Sequence, residues 1–342
     1  MMMMRGPVVF AAAVSVAAVF VIRLARANAA GTRQAALATR LIDSVPIIVG
    51  SPGPTRVTMR NVDFHVGDGV LLRIATLNGQ MRSVKRGVVD FDDKTSYILT
   101  VDSGTIGLTA SDLTNLMNRY VFAYPGAPLK HLKVAMRGAE LGLTGTLHKG
   151  VDIPFDITST IALTAEQTMR LHPTKIRIFG VDGAKLMRAL GLNLQKMINL
   201  SKAKGVAVQG NDLILSPLML LPPPAIRGRL VAVRVAGDRL EQLFAPNNAA
   251  DVASAPHHLP DSTAQNYMLY RGGTLHFGKL YMTEAELFVV DENADDPFDF
   301  DNDHYQRQLI AGHSRTLPSL GLEVYMPDAA RLVTSAGAPT AR

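Results

Sequence analysis

The strongest pattern in this chain is a run of residues in which apolar and mostly polar side chains alternate strictly. Ser159 is the only polar residue on the apolar side of that run. A period of two predicts a β-strand with one apolar face, because successive side chains of a strand point to opposite faces. The apolar side consists otherwise of Ile153, Phe155, Ile157, Ile161 and Leu163.

The same period recurs along most of the chain after residue 55. Two stretches have helical spacing instead. The first is capped by Thr109 or Ser111, and the second carries Leu186, Leu190, Leu194 and Met197 on one side. The alternating runs include Val57/Met59, Leu72/Ile74, Tyr97/Leu99/Val101, Met169/Leu171, Ile176/Ile178, Val206/Val208, Leu213/Leu215 and Val231/Val233/Val235, and Gly210-Asn211 predicts a hairpin turn between two of them.

The N-terminal segment contains one long apolar stretch. Residues 7–22 include a single polar residue, Ser15, and the stretch reaches about twenty residues when Arg23 snorkels, which is near the length that spans a bilayer. Small residues around Ala27 suit cleavage of a signal peptide. Arg23 and Arg26 separate those sites from the apolar run, so we expect a retained transmembrane anchor.

Two features of the sequence indicate opposite orientations of this anchor in the membrane. Arg23, Arg26 and Arg33 outnumber Arg5, and the positive-inside rule would then place the main domain in the cytoplasm. The cleavage-like small residues and the absence of cysteine suit an exported chain. We expect a single-pass inner-membrane protein with a periplasmic main domain, and the cytoplasmic orientation stays open.

Together these patterns predict an α+β fold that is mostly β. An N-terminal transmembrane helix precedes a long curved antiparallel sheet, which wraps one or two amphipathic helices. The expected boundaries are an anchor at 1–30, a juxtamembrane helix and linker at 31–54, a β-rich domain at 55–244, a mobile loop at 245–263, short strands with an acidic loop and a helix at 264–333, and a disordered tail at 334–342.

Composition excludes several classes of function. The chain has no Cys, which removes thiolate nucleophiles, Cys-ligated zinc and iron–sulfur clusters. It has no Trp and only 6% aromatic residues, which is little stacking surface for single-stranded nucleic acid despite a net charge of +6. Seven acids and no Lys or Arg lie between residues 291 and 303, so the basic residues are concentrated before that stretch.

No motif in the sequence predicts catalysis. The GHSRT sequence at 312–316 resembles the start of a nucleophile elbow but lacks its second small residue. Asp299, Asp301 and Asp303 match part of a calcium loop, yet His304 and Ile310 replace the required Gly and Glu. His257-His258 falls in the expected loop without a second ligand pair. We therefore expect no enzyme activity, no metal and no cofactor.

The order of elements between residues 108 and 217 resembles that of bacterial members of the tubular lipid-binding (TULIP) superfamily. The elements are a capped helix (LTASDLTNLMNRY), paired strands (LKHLKVAMRGAELGLTGTL), a long hairpin (IPFDITSTIALTAEQTMRLHPTKIRIFGV), an amphipathic helix (AKLMRALGLNLQKMI) and a closing hairpin (KGVAVQGNDLILSP). The resemblance covers about a third of the chain. It implies a curved sheet around a helix and an apolar lumen for acyl chains.

Two functions remain. The first is a membrane-anchored, non-catalytic lipid-binding or lipid-transfer protein of the cell envelope. The second is a non-catalytic accessory or structural subunit of a respiratory or photosynthetic inner-membrane complex. Expected partners are phospholipid or membrane and other inner-membrane proteins, but not nucleic acid. The expected tail-lining residues are Ile153, Phe155, Ile157, Ile161, Leu163, Leu186, Leu190, Leu194 and Met197, and the expected headgroup contacts are Lys85, Arg86, Lys130, Lys133, Lys202 and Lys204.

The anchor is tested by the intact mass of the protein taken from membranes. We expect a mature chain that retains residues 7–25, because Arg23 and Arg26 disfavour cleavage and the apolar run is long enough to span. A mature N-terminus at Asn28 or Ala30 would show a removed signal peptide instead.

Overall fold

A computed structural model describes residues 53–85, 87–183, 185, 194–246 and 259–335. The predicted transmembrane and juxtamembrane helices and most of the C-terminal tail lie outside these residues. So do Leu186, Leu190, Arg86 and the His257-His258 pair. Within the described ranges, no helix has both the length and the apolar character needed to cross a membrane.

The described residues are mostly β-strand. The strands are β1 (Thr55–Gly67), β2 (Val70–Ser83), β3 (Val89–Asp90), β4 (Tyr97–Thr109), β5 (Leu129–Arg137), β6 (Glu140–His148), β7 (Asp152–Leu163), β8 (Met169–Ile178), β9 (Val181–Asp182), β10 (Val206–Gln209), β11 (Asp212–Leu215), β12 (Ala225–Gly228), β13 (Leu230–Ala236), β14 (Arg239–Phe244), β15 (Tyr267–Arg271), β16 (Thr274–Phe277), β17 (Leu280–Thr283), β18 (Glu286–Asp291), β19 (Phe298–Asp301), β20 (His313–Thr316) and β21 (Leu322–Met326).

Five short helices and one π-helical turn join these strands in the described chain. Helix α1 (Ala110–Leu116) continues directly into the π-helical turn Met117–Val121. The others are α2 (Leu194–Met197), α3 (Pro217–Leu220), α4 (Tyr305–Ala311) and α5 (Ala329–Ser335).

The first sheet has eleven strands and combines both halves of the sequence. Its main order is β13-β14-β4-β2-β1-β15-β18-β21-β20, and β12 and β19 pair in parallel with β4 and β1. Strands after residue 264 thus hydrogen-bond with β1, the first strand of the described chain. Beside this sheet lies a three-stranded one, β17-β16-β3.

The second sheet is antiparallel throughout and has seven strands in the order β10-β11-β8-β7-β6-β5, with β9 paired to the end of β8. The predicted alternating run is confirmed as β7, its central strand. The predicted hairpin at Gly210-Asn211 is confirmed by the pairing of Gln209 with Asp212. The predicted mostly-β fold with a curled antiparallel sheet is therefore present.

Helix α1 connects the two sheets. It begins where β4 ends, with Thr109 as N-cap as predicted, and packs against β5 of the second sheet. Thr109 and Asp112 form a capping box. The buried Asp112 carboxylate also accepts a hydrogen bond from the backbone N–H of Leu71 and pairs with the Arg73 guanidinium, both on β2. One carboxylate thus fixes the helix start to the first sheet.

We predict that Asp112→Ala lowers the free energy of unfolding by about 3 kcal/mol, because it leaves the Arg73 charge and the Leu71 N–H without their partner and removes the Asp112 side-chain half of the capping box. Urea denaturation measures this. Asp238→Ala is the control, since the Asp238 side chain is 77% exposed, and we expect it to change stability by less than about 0.5 kcal/mol. Equal effects of the two substitutions would contradict this role of Asp112.

Candidate functional site: an apolar cavity enclosed by the second sheet

An apolar cavity of about 120 Å³ lies on the concave side of the second sheet. Helix α1 and the π-helical turn contribute Leu113 and Met117 to its wall, and α3 contributes Leu220. Both edge strands also reach it, through Leu129 on β5 and Val206 on β10. Since opposite edges of one sheet line the same space, the sheet curls around the cavity.

Strand β7 supplies the residues that the sequence singled out. Ile153, Phe155 and Ile157 line the cavity, and so does Ser159. Ile161 and Leu163 continue the same strand and pack against the hydrophobic core, but they are not among the lining residues. From the second predicted helix, Leu194 and Met197 line the cavity.

Most of the cavity wall consists of residues that were not proposed as lining from sequence. The neighbouring strands carry the same period of two, so every second residue faces inward. The lining residues of this kind are Leu132, Val134, Leu141, Leu143 and Leu147 on β5 and β6, Met169, Leu171, Ile176 and Ile178 on β8, and Val208, Leu213 and Leu215 on β10 and β11.

The edge strand β5 breaks the period and still buries its apolar residues. His131 has a positive φ of 52°, and the register with β6 shifts between Lys130 and Lys133. A bulge of this kind adds one residue to a strand. Leu129 and Leu132, three residues apart, therefore both face inward, while Lys130 and Lys133 remain exposed.

Among the described residues that line the cavity, Ser159 has the only polar side chain. It is 6% exposed and lies opposite Leu141 on β6 and Pro173 on β8. It lies six positions along β7 from Ile153, so the hydroxyl is about 20 Å along the strand from that end of the cavity. An apolar ligand with one hydrogen-bonding oxygen can use this hydroxyl.

The predicted basic residues occupy two regions. Lys130 and Lys133 lie on β5, and Lys202 and Lys204 lie in the exposed segment before β10. These four residues belong to the two edges of the curled sheet. Lys85 is elsewhere: it follows β2 of the first sheet and bonds to Asp93 and Thr95.

The acids and histidines of the C-terminal part have partners of their own. The carboxylates that resembled a calcium loop point to three different groups: Asp299 to His65, Asp301 to His304 and Asp303 to Lys94. They do not converge on one position. Two other clusters have ligand atoms within 4.8 Å of one another, Asp90/Asp92/His276 and Asp291/Asp296/Asp328.

The GHSRT sequence forms the exposed edge strand β20. The His313 ring stacks on Tyr325 with a centroid distance of 4.8 Å, and its Nδ1 lies 3.5 Å from Glu292. Ser314 pairs with Val324. Successive side chains in a strand point to opposite faces, so His313 is directed away from the Ser314 hydroxyl.

Comparison of this chain with family models, with curated proteins and with solved structures gave no match.

The buried acidic cluster predicts a dependence of stability on pH. Burial raises the pKa of Asp291 to about 7, and the neighbouring Asp328 carboxylate adds to the effect. Between about pH 4 and pH 7 the folded protein therefore holds a proton that the unfolded chain has lost, so the free energy of unfolding falls as pH rises through this range.

We expect Asp291→Asn to reduce that fall by about 2 kcal/mol between pH 5 and pH 8, because an amide cannot ionise and each pKa unit corresponds to about 1.4 kcal/mol. Denaturation midpoints across this range measure the slope. Asp238→Asn should keep the slope of the wild type. A slope that Asp291→Asn leaves unchanged would show that this carboxyl titrates in its ordinary range.

Proposed function

We propose that this protein is a non-catalytic lipid-binding or lipid-transfer protein whose cavity holds the acyl chain of a lipid. The observation that supports this most strongly is the composition of the cavity wall, in which the residues that the structure describes are apolar except for Ser159. Protein interiors are normally close-packed. An unfilled apolar space of about 120 Å³ costs on the order of 3 kcal/mol, and an apolar ligand offsets this cost.

The chemistry of the wall selects the class of ligand. The described part of the wall has no charged side chain with which a buried charge could pair, so the part of the ligand inside the cavity is uncharged. Cavities of this size and character stay dry and accept apolar molecules. A volume of about 120 Å³ fits a short apolar group. A long acyl chain therefore requires the walls to move apart, which flexible side chains such as Met117, Met169 and Met197 permit.

The proposal extends to the setting of the domain. The apolar run at residues 7–25 would anchor it to the inner membrane with the main domain in the periplasm. Lys130 and Lys133, on the edge strand β5, would meet lipid phosphates. Lys202 and Lys204 precede the end of β10 that lies, through Leu215, in register with Met169, at the other end of β8 from Ile178. A curled sheet with a capped helix across it supports, at the level of fold, the TULIP-like arrangement inferred for residues 108–217.

The competing function is an accessory subunit of an inner-membrane complex, for which the second sheet would serve as a docking platform. A solidly packed sheet would favour that function, whereas the observed cavity favours lipid binding. Purification of the full-length protein in mild detergent separates the two. Retained lipid supports the first, and a fixed set of partner proteins without lipid supports the second.

We predict that native mass spectrometry of the full-length protein detects bound lipid, and that Ile157→Phe lowers its occupancy about tenfold or more. The larger ring fills part of the cavity, and excluding two or three methylene groups from it costs about 1.5–2.5 kcal/mol of binding.

Thr160→Phe is the matched control. It adds an aromatic ring to the same strand at an exposed position, and we expect it to leave occupancy unchanged. Absence of lipid from the wild-type protein, or equal occupancy in both variants, would contradict binding in this cavity.

A further inference from the structure

One end of the second sheet exposes large apolar side chains. Val151, Phe179 and Val181 are 64%, 64% and 58% exposed. Val151 lies in the turn between β6 and β7, and Phe179 lies in the turn between β8 and β9, where its N–H donates to the Pro154 carbonyl of β7. Val181 begins β9. These three side chains define a surface that we name the apolar tip.

Phe179 occupies a backbone conformation that an aromatic residue rarely adopts. Ile178 pairs with Val181, so Phe179-Gly180 is a two-residue hairpin turn, and both residues have positive φ, 50° and 79°. Such a turn favours Asn-Gly. A bulky residue with positive φ is strained, and strain of this kind accumulates at functional positions. An exposed Phe thus occupies a position where Asn would stabilise the turn.

The apolar tip is continuous with the cavity. Ile178 lines the cavity and pairs directly with Val181, so the two side chains lie on the same face of the sheet. Ile153, at the same end of β7, also lines the cavity. The apolar surface therefore runs from the cavity to the exposed tip.

The charges around the apolar tip are mainly positive. The acids nearest these residues each have a basic partner: Asp152 pairs with His148, Asp156 pairs with Arg137, and Asp182 lies 3.7 Å from Lys185. Three exposed cations, Lys130, Lys149 and Arg177, form no ion pair with any residue that the structure describes.

We propose that the apolar tip docks on an anionic phospholipid bilayer. Exposed aliphatic and aromatic side chains surrounded by Lys and Arg suit the boundary between headgroups and acyl chains, where the apolar groups insert and the cations meet phosphates. The tip then places the end of the cavity against the membrane. This last role depends on the proposed function, whereas docking itself does not.

The test uses the absence of tryptophan from the chain. Phe179→Trp introduces a single fluorescent reporter into the full-length protein. This variant is mixed with vesicles of phosphatidylglycerol and phosphatidylcholine whose acyl chains are brominated. We expect the tryptophan emission to shift to shorter wavelength and to be quenched by the bromine atoms. Both effects should weaken as the salt concentration rises, because salt screens the attraction between the cations and the anionic lipid. Tyr281→Trp is the matched control, on β17 at 63% exposure, and should stay unquenched. Equal responses of the two reporters, or none, would overturn docking.

A second measurement distinguishes docking from uptake of brominated lipid into the cavity. Phe179→Trp combined with Ile157→Phe has a narrowed cavity and an intact tip. Quenching that persists in this variant reports docking. Quenching that disappears places the lipid inside the cavity, which supports lipid binding and overturns the docking of this tip.

A third variant separates docking from fold stability. The reporter is now Val151→Trp, and the variant with this substitution alone is compared with the variant that also carries Phe179→Asn. Phe179→Asn removes the aromatic side chain and relieves the strained turn. We expect equal or higher thermal stability and about a tenfold lower ratio of docked to undocked protein, as the loss of one inserted aromatic side chain implies. Unchanged quenching in this variant would remove Phe179 from the docking surface and overturn the proposal.

Discussion

The need to cover the apolar face of the seven-stranded sheet determines much of this structure. Six of its strands, from β10 to β5, lie side by side, so the sheet is roughly 24 Å wide at the usual spacing between strands. A helix with its side chains is about 10 Å wide, so helix α1 covers less than half of that face. The sheet covers the remainder by curling until β5 and β10 line one space. The cavity is what this closure leaves between the walls.

The curled sheet depends on the first sheet for its position. Asp112 holds the start of α1 against β2, and α1 in turn packs on β5. A second link lies at the other side, where the backbone N–H of Leu230 on β13 donates to the Gln167 side chain beside β8. The first sheet supplies the rigid support, with a core that includes the tilted and edge-to-face rings of Phe91, Phe277 and Tyr305.

The cavity and the apolar tip make related demands on the chain. Both keep apolar surface away from ordinary close packing, one as a space between the walls of the curled sheet and the other as exposed side chains. Each such feature lowers stability, and the strained conformation of Phe179 lowers it further. The proposed lipid ligand and membrane surface would account for both features by the same physical effect, the removal of apolar groups from water.

The sequence by itself determined the local elements. The alternation along β7, the N-cap at Thr109 and the Gly210-Asn211 turn are set by neighbouring residues, so they could be predicted correctly. Only the tertiary structure decided which strands meet. The parallel pairing of β1 with β19 joins residues more than two hundred positions apart, and no local pattern specifies it.

The same holds for the site: Ile157 and Ile161 are equivalent in the pattern of β7, yet only Ile157 lines the cavity. Phe179 and Val181 follow the apolar sequence of β8, but Phe179 lies in the turn after Ile178 and Val181 follows that turn, so both are exposed. The physical reason is that periodicity fixes the face on which a side chain lies, whereas curl, register and the elements packed opposite fix what that face meets.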